Sequence, residues 1–192
     1  TNPYELIIYL VFVAYFILGF SIYEDYGFYI DEKFHRTNGF FWLSYVADFF
    51  ELEQLKLAST AKMSEIQGFT FPDVERWNKY GIIFDLPAAY LEIFFDLDEP
   101  LKYFQMRHIL VFIYFFIGSF FFYKILLNRF KNQIISLVGL LLFIITPRLF
   151  GDSFWNNKDI IFLSFYIISI YYYFSVLDHS SNKNIILLSL FA

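Results

Sequence analysis

The sequence predicts an all-α, polytopic transmembrane protein with a large first extracytoplasmic loop, and three observations support this fold class. Hydrophobic residues make up 58% of the 192-residue chain and aromatic residues 25%, whereas soluble domains are about 45–50% apolar. Several apolar runs are long enough to cross about 30 Å of hydrocarbon as helices. Most acidic residues lie in one polar segment between the first two runs. The chain has no cysteine, which excludes disulfide frameworks and thiol chemistry.

Five apolar segments are predicted to be membrane helices. The first, Leu6 to Ile22, carries no charge, while Pro3 suits the first turn of a helix and Glu5 suits its positive end. It lacks a basic leader and a small-residue cleavage site, so we expect a retained anchor. The predicted spans cover about 4–23, 107–127, 134–147, 159–177 and 185–192, and the sequence does not complete the fifth.

The distribution of cations predicts how these spans are oriented. The short loop 124–133 holds three cations and no acid, which places it on the cytoplasmic side under the positive-inside rule. The long loop 24–106, with fifteen acidic and seven basic residues, and the short loop 147–159 then lie on the outer side. The loop 178–184 returns to the cytoplasm. We expect the polar motifs of both outer loops to share one membrane surface.

The long loop contains two amphipathic stretches, Phe40 to Leu55 and Leu86 to Leu97. Both are too short and too charged to span a bilayer, and they suit helices that lie in the membrane interface. In the second stretch the pattern predicts that Glu92 and Asp96 face away from the apolar side. The alternative is a small soluble subdomain that packs on itself. Between the stretches, the segment Gly68 to Asp73 is predicted to be a loop.

The first chemical motif is the acidic pair Asp31 and Glu32, followed by Lys33, His35 and Arg36. A carboxylate beside a low-dielectric boundary can act as a general base toward an acceptor hydroxyl or amine. The alternative is a solvated acidic loop. His35 could help to bind a divalent metal ion, although no spacing in the chain matches a zinc site. No predicted span has a charge at its centre, which favours an interfacial enzyme or binder over a transporter.

Two further motifs lie beside predicted helices. Asp85 precedes the second amphipathic stretch, and the alternative to a chemical role is that it caps that helix. The segment Pro147 to Asp159 is a dense polar connection between spans, which also contains Asp152 and Asn156. Arg148, Lys158 and the helix start near Asp159 could hold a lipid phosphate. The alternative is that these cations reach from span ends to the membrane surface.

The order of these motifs resembles a known family. The matching segments are Tyr26 to Glu32, Lys79 to Leu86, Arg107-His108 and Pro147 to Asp159. In this order they resemble the GT-C glycosyltransferases, in particular the protein O-mannosyltransferase-like family (glycosyltransferase family 39) and its bacterial relatives. The resemblance covers nearly the whole chain and implies that residues 1–192 are the N-terminal part of a GT-C transmembrane domain.

The resemblance also implies roles for individual residues. Enzymes of this family transfer a sugar with inversion from a polyprenyl-phosphate carrier, and their acidic pair lies at the acceptor and donor site, which corresponds to Asp31 and Glu32. The second family acid corresponds to Asp85, although Leu86-Pro87-Ala88 stands where the family has His-Pro-Pro. Arg107 joins Arg148 and Lys158 as a predicted ligand of the donor phosphate. The remaining predicted site residues are His35, Arg36, Asp152, Asn156 and Asp159.

Together these inferences predict a membrane glycosyltransferase with Asp31 as general base. The resemblance implies a multi-pass protein of the bacterial cytoplasmic membrane with its active site on the extracytoplasmic side. Its expected partners are a polyprenyl-phosphate-linked sugar, membrane lipid and an acceptor protein, lipid or glycan, and not nucleic acid. No cofactor is implied apart from the divalent metal ion considered above. The alternative function is a non-catalytic lipid-head-group binder or a transporter-like membrane component.

Overall fold

The computed structural model describes residues 3–66 and 81–191, and every regular element in these ranges is helical. The predicted all-α class is therefore confirmed for this part of the chain. The predicted loop Gly68 to Asp73 lies outside the described residues. The α-helices are α1 (Pro3–Ile22), α2 (Ile30–Phe49), α3 (Glu53–Glu65), α4 (Asp85–Phe94), α5 (Pro100–Phe130), α6 (Gln133–Ile144), α7 (Pro147–Trp155), α8 (Asp159–Asp178) and α9 (Asn182–Phe191), with a 3₁₀ turn at Tyr23–Asp25.

The chain divides into two compact units. The first unit consists of Thr1–Tyr26 and His108–Ala192, and the second consists of Gly27–Arg107. Helix α5 contributes its residues up to Arg107 to the second unit and the rest to the first.

Three helical segments in the described part of the chain are long and apolar enough to cross a membrane. They are Tyr4–Asp25, Pro100–Phe130 and Asp159–Asp178, and they correspond to the predicted spans 4–23, 107–127 and 159–177. The second begins seven residues earlier than predicted, at Pro100. Proline suits this first helical position because the missing N–H would have no partner within the helix.

The predicted span 134–147 is bent. Helices α6 and α7 meet at an angle of 60°, so that they form either one broken span or a re-entrant segment. The break falls at Ile145 and Thr146, directly before Pro147. A proline disfavours helical geometry in the residue that precedes it, which explains the position of the break. The connection after it, which the sequence indicated only as polar, is mostly the helix α7.

Close helix packing in the first unit depends on glycine. A Cβ atom at Gly118 of α5 would lie 3.0 Å from the Cα of Ser164 on α8, so the two backbones approach at this point. A stack of aromatic rings adds to the core: the ring of Phe154 lies 4.4 Å from that of Tyr26 and 5.3 Å from that of Phe112. Such offset ring pairs stabilise a core beyond the area that they bury.

The second unit has a core of its own. Phe40 and Leu43 of α2, Met63 of α3 and Ala89 of α4 are buried against one another. At Gly39 the helices α2 and α4 touch, because a Cβ atom there would lie 2.3 Å from the carbonyl oxygen of Asp85. The second unit therefore packs on itself. This agrees with that part of the alternative interpretation of the two amphipathic stretches, which predicted a small subdomain that packs on itself. Its location at a membrane interface stays a prediction.

The helix boundaries in this unit differ from those predicted. The stretch Phe40 to Leu55 is not one helix, because α2 begins ten residues earlier and ends at Phe49. Glu51 then adopts a left-handed φ of 59°, which interrupts the helix before α3 begins. Helix α4 ends in the same way, since Asp96 has a φ of 52°. The apolar periodicity continues through both interruptions and does not reveal them.

Candidate functional site

Asp85 is the centre of a buried polar cluster in the second unit. Its Oδ2 atom accepts a hydrogen bond of 2.8 Å from Nδ2 of Asn38 and lies 3.0 Å from Nδ1 of His35. We call these three residues the Asp85 cluster. Asp85 is 2% exposed. Within the described ranges, its Oδ1 atom and that of Asn38 have no hydrogen-bond partner, so the cluster retains two unsatisfied acceptors.

The predicted capping role of Asp85 is wrong. The residue before it, Phe84, occupies the N-cap position of α4, and no side chain forms a cap hydrogen bond there. The carboxylate of Asp85 instead points to α2, where His35 and Asn38 lie one turn apart. Its role in the fold is to join two helices through buried hydrogen bonds, which are costly to leave unmade.

A second buried cluster, which we call the arginine cluster, consists of Arg36, Glu92 and Arg107. The Nε and Nη2 atoms of Arg36 donate to Oε1 of Glu92 at 2.9 and 2.5 Å. Nη2 of Arg107 lies 3.8 Å from Oε2 of the same carboxylate. The guanidinium of Arg36 also lies 3.9 Å from the ring centroid of Tyr103, a distance typical of a cation–π contact. Two cations therefore share one carboxylate.

The prediction that Glu92 faces away from the packed side is wrong. Its exposed fraction is 0%, because two arginines supply the charge that makes the burial of a carboxylate tolerable. Amphipathic patterning treats glutamate as a surface residue and contains no information on a partner 56 residues away.

Arg107 has hydrogen-bonding capacity that the fold leaves unused. The residue is 1% exposed, and in residues 3–66 and 81–191 its Nε, Nη1 and Nη2 atoms have no hydrogen-bond partner. A guanidinium carries five N–H donors in a planar fork that matches carboxylate and phosphate groups. A buried cation with unused donors is a candidate site for an anion.

Asp31 and Glu32 lie in the first turn of α2 and not in a loop. Glu32 is 2% exposed, and its Oε2 atom accepts a 2.7 Å hydrogen bond from the backbone N–H of Tyr29. It therefore satisfies one of the free N–H groups at the helix start. Asp31 is exposed. Helix geometry thus places the two adjacent acids in different surroundings.

The predicted site residues of the first unit lie where α7 leads into α8. Nε of Arg148 donates to Oδ2 of Asp152 at 2.7 Å. Asn156 accepts a 2.9 Å hydrogen bond from the backbone N–H of Asp159 and donates to its Oδ2 atom at 3.1 Å. The side chain of Arg148 is 78% exposed, and Lys158 is also exposed. Two cations are therefore presented at the surface of this segment.

No protein-family model, curated protein or solved structure matches this chain. The resemblance to family 39 therefore rests on the sequence motifs.

Those predicted site residues that contact one another do so within a single unit. His35 and Asp85 contact each other in the second unit, as do Arg36 and Arg107 through Glu92. In the first unit the contacts join Arg148, Asp152, Asn156 and Asp159. Within the residues that the structure describes, no group of three or more His, Cys, Asp or Glu side chains could hold a metal ion.

The sequence interpretation missed Asn38, Glu92 and Tyr103. Asn38 follows His35 by three residues, and Glu92 follows Asp85 by seven, so that both pairs lie on one face of a helix. This spacing could have indicated two polar helix faces that pair with each other. Nothing in the local pattern around Tyr103 marks it as the partner of an arginine.

Proposed function

We propose that the chain is part of a membrane glycosyltransferase that moves a sugar from a polyprenyl-phosphate-linked donor to an extracytoplasmic acceptor. The sequence motifs support the class of reaction. Asp31 is assigned as the base because it is exposed. The other two acidic residues of the second-unit motifs, Glu32 and Asp85, are buried and already accept hydrogen bonds.

In the proposed reaction, Asp31 is the general base. The acceptor oxygen or nitrogen attacks the anomeric carbon of the sugar, and its proton passes to the carboxylate of Asp31. The bond between the anomeric carbon and the phosphate oxygen breaks, and the polyprenyl phosphate leaves with the electron pair. A positioned base of this kind contributes roughly a hundredfold to ten-thousandfold in rate.

Glu32 and Asp85 act as positioning residues in this proposal. Glu32 fixes the start of α2 through its hydrogen bond to Tyr29, and Asp85 holds α2 against α4 through His35 and Asn38. Both interactions set the position of the helix turn that carries Asp31.

Cations bind the donor phosphate in this proposal. Arg148 and Lys158, which are exposed in the first unit, are the ligands of the phosphate. Each charge-assisted hydrogen bond to a phosphate contributes about 1.5–3 kcal/mol. The broken span α6–α7 supports the same proposal, because it brings polar backbone and side chains toward the membrane, where the lipid phosphate of the donor lies.

The test is mass spectrometry of envelope glycans and glycoproteins from cells with and without the gene, which detects a product whichever sugar is transferred. For a glycan product that forms only in cells with the gene, we expect Asp31→Asn to lower the initial rate of product formation at least about a hundredfold. The matched control is Asp48→Asn, an exposed carboxylate of the same helix, which should retain the wild-type rate. Both variants must be present in the membrane at wild-type amounts.

Three outcomes would contradict the proposal. If no glycan depends on the gene, the enzymatic function is wrong. If Asp31→Asn keeps the wild-type rate, Asp31 is not the base. If Glu32→Gln and Asp85→Asn also keep it, none of the three acids takes part in the reaction.

A further inference from the structure

An open pocket of about 590 Å³ lies in the first unit, and no residue of the proposed reaction lines it. The start of α1 contributes Tyr4, the end of α5 contributes Asn128, and the connection to α6 contributes Lys131 and Asn132. Gln133, the first residue of α6, also lines it. The volume is within the range of about 300–1,000 Å³ that is usual for small-molecule sites.

The polar chemistry of the pocket favours an anion. Lys131 is exposed, and within the described residues its ammonium forms no ion pair and no side-chain hydrogen bond. Asn128 and Gln133 add side-chain amide groups that can donate hydrogen bonds. The connection 124–133 contains three cations and no acid. One acidic residue is close to the pocket in sequence: Glu5, in the first turn of α1, directly follows the lining residue Tyr4.

The position of the pocket favours a lipid as the source of that anion. Tyr4 and Asn128 belong to Tyr4–Asp25 and Pro100–Phe130, two helices long and apolar enough to cross a membrane, and each lies near one end of its helix. The pocket therefore lies where such helices leave the hydrocarbon. Two apolar residues, Leu127 and Ile134, line it beside the polar ones. Basic pockets between membrane helices on the cytoplasmic side bind the head groups of anionic lipids.

We propose that this pocket binds the head group of an anionic phospholipid, with Lys131 at the lipid phosphate and the amide of Asn128 at one of its oxygen atoms. The positive-inside rule predicts the cytoplasmic leaflet as the source of the lipid. The site is independent of the proposed glycosyl transfer.

Native mass spectrometry of the protein in a neutral detergent tests this proposal, with equimolar phosphatidylglycerol and phosphatidylcholine as probes. The wild type should retain phosphatidylglycerol preferentially. Lys131→Gly should lower that preference about fivefold, the factor expected for one lysine near a lipid surface. Lys131 has a left-handed φ of 52°, a conformation that glycine adopts without strain, so this variant removes the charge while favouring the fold.

The matched control is Lys183→Gln, which removes one exposed cation on the same predicted side outside the pocket. It should keep the wild-type preference. Asn128→Trp fills the pocket without changing any charge and should abolish the preference. Equal losses in Lys131→Gly and Lys183→Gln would show unspecific attraction and overturn the proposal. Retention of the preference in Lys131→Gly or in Asn128→Trp would overturn it as well, as would retention of millimolar glycerol phosphate without any retention of phosphatidylglycerol.

Discussion

Glu92 is the residue on which the charge balance of the arginine cluster depends, because it contacts both Arg36 and Arg107. All three side chains are almost completely buried. Removal of one member of a buried ion pair leaves an uncompensated charge in a medium that solvates it poorly, which typically costs about 3–5 kcal/mol.

We therefore expect Glu92→Gln to lower the free energy of unfolding by about 3 kcal/mol. Thermal unfolding in detergent, followed by circular dichroism, measures the change. Asp48→Asn is the control, because it breaks the ion pair with Lys56 at exposed positions and should leave the unfolding temperature unchanged. Equal unfolding temperatures for Glu92→Gln and the wild type would mean that the cluster does not stabilise the second unit.

The sequence could name the candidate acidic residues, but it could not predict their surroundings. The motif identified Asp31, Glu32 and Asp85 as candidates. It could not rank Asp31 against Glu32, because the hydrogen bond that occupies Glu32 depends on where α2 begins. Burial of Glu92 and Asn38 likewise depends on how α2 packs against α4, which a single sequence does not contain.

Among the helix contacts, the one between α2 and α4 restricts the sequence most specifically, because it requires glycine at position 39. At Gly39 the backbone of Asp85 occupies the space that a side chain would need. A Cβ atom added at Gly39 would lie 2.3 Å from the carbonyl oxygen of Asp85. A backbone atom cannot move aside as a flexible side chain can. Any residue larger than glycine must push the helices apart and disturb the Asp85 cluster.

We expect Gly39→Ala to destabilise the protein by about 1–3 kcal/mol, the usual cost of overpacking. Gly151→Ala in α7 is the matched control, because no atom lies within 4 Å of its Cβ position. Since alanine favours a helix over glycine by roughly 0.5–1 kcal/mol, the control should be neutral or slightly stabilising. Unfolding temperatures that fall equally in both variants would contradict a steric cause.

Helices of different kinds differed in how well the sequence predicted them. The three long apolar helices were expected, since a run of about twenty apolar residues is a strong local signal. The early starts of α2 and α5 were missed, because polar and charged residues fill their first turns. Helix α7 was missed because its polar residues indicated a connection between spans and because nine residues are few for a helix.

At the scale of the whole molecule, membrane topology is the first property to test. The chain contains no cysteine, so single cysteines can be introduced without altering other residues. We expect a membrane-impermeant thiol reagent to label Ser64→Cys and Lys158→Cys from outside the cell and not to label Ser180→Cys. All three positions are exposed, whereas Ser153 in the same outer connection is buried and would react poorly on either side.

The basis of this expectation is the cation excess of residues 124–133. Labelling of Ser180→Cys in intact cells would reverse the orientation. Labelling of only one of the two positions Ser64 and Lys158 would place the two predicted outer loops on opposite sides and would rule out a shared catalytic surface. Permeabilised cells provide the positive control, because every exposed cysteine should react there.

The arginine cluster also bears on the ancestry of this chain. A buried trio of two cations and one anion is poorly tolerant of single replacements, whereas its simultaneous exchange for well-packed apolar residues can be neutral. The positions 36, 92 and 107 should therefore be inherited together. In any lineage that descends from the same ancestor, they should either all be charged or all be apolar, and intermediates should be short-lived. That joint pattern would identify distant relatives even where the rest of the sequence has diverged.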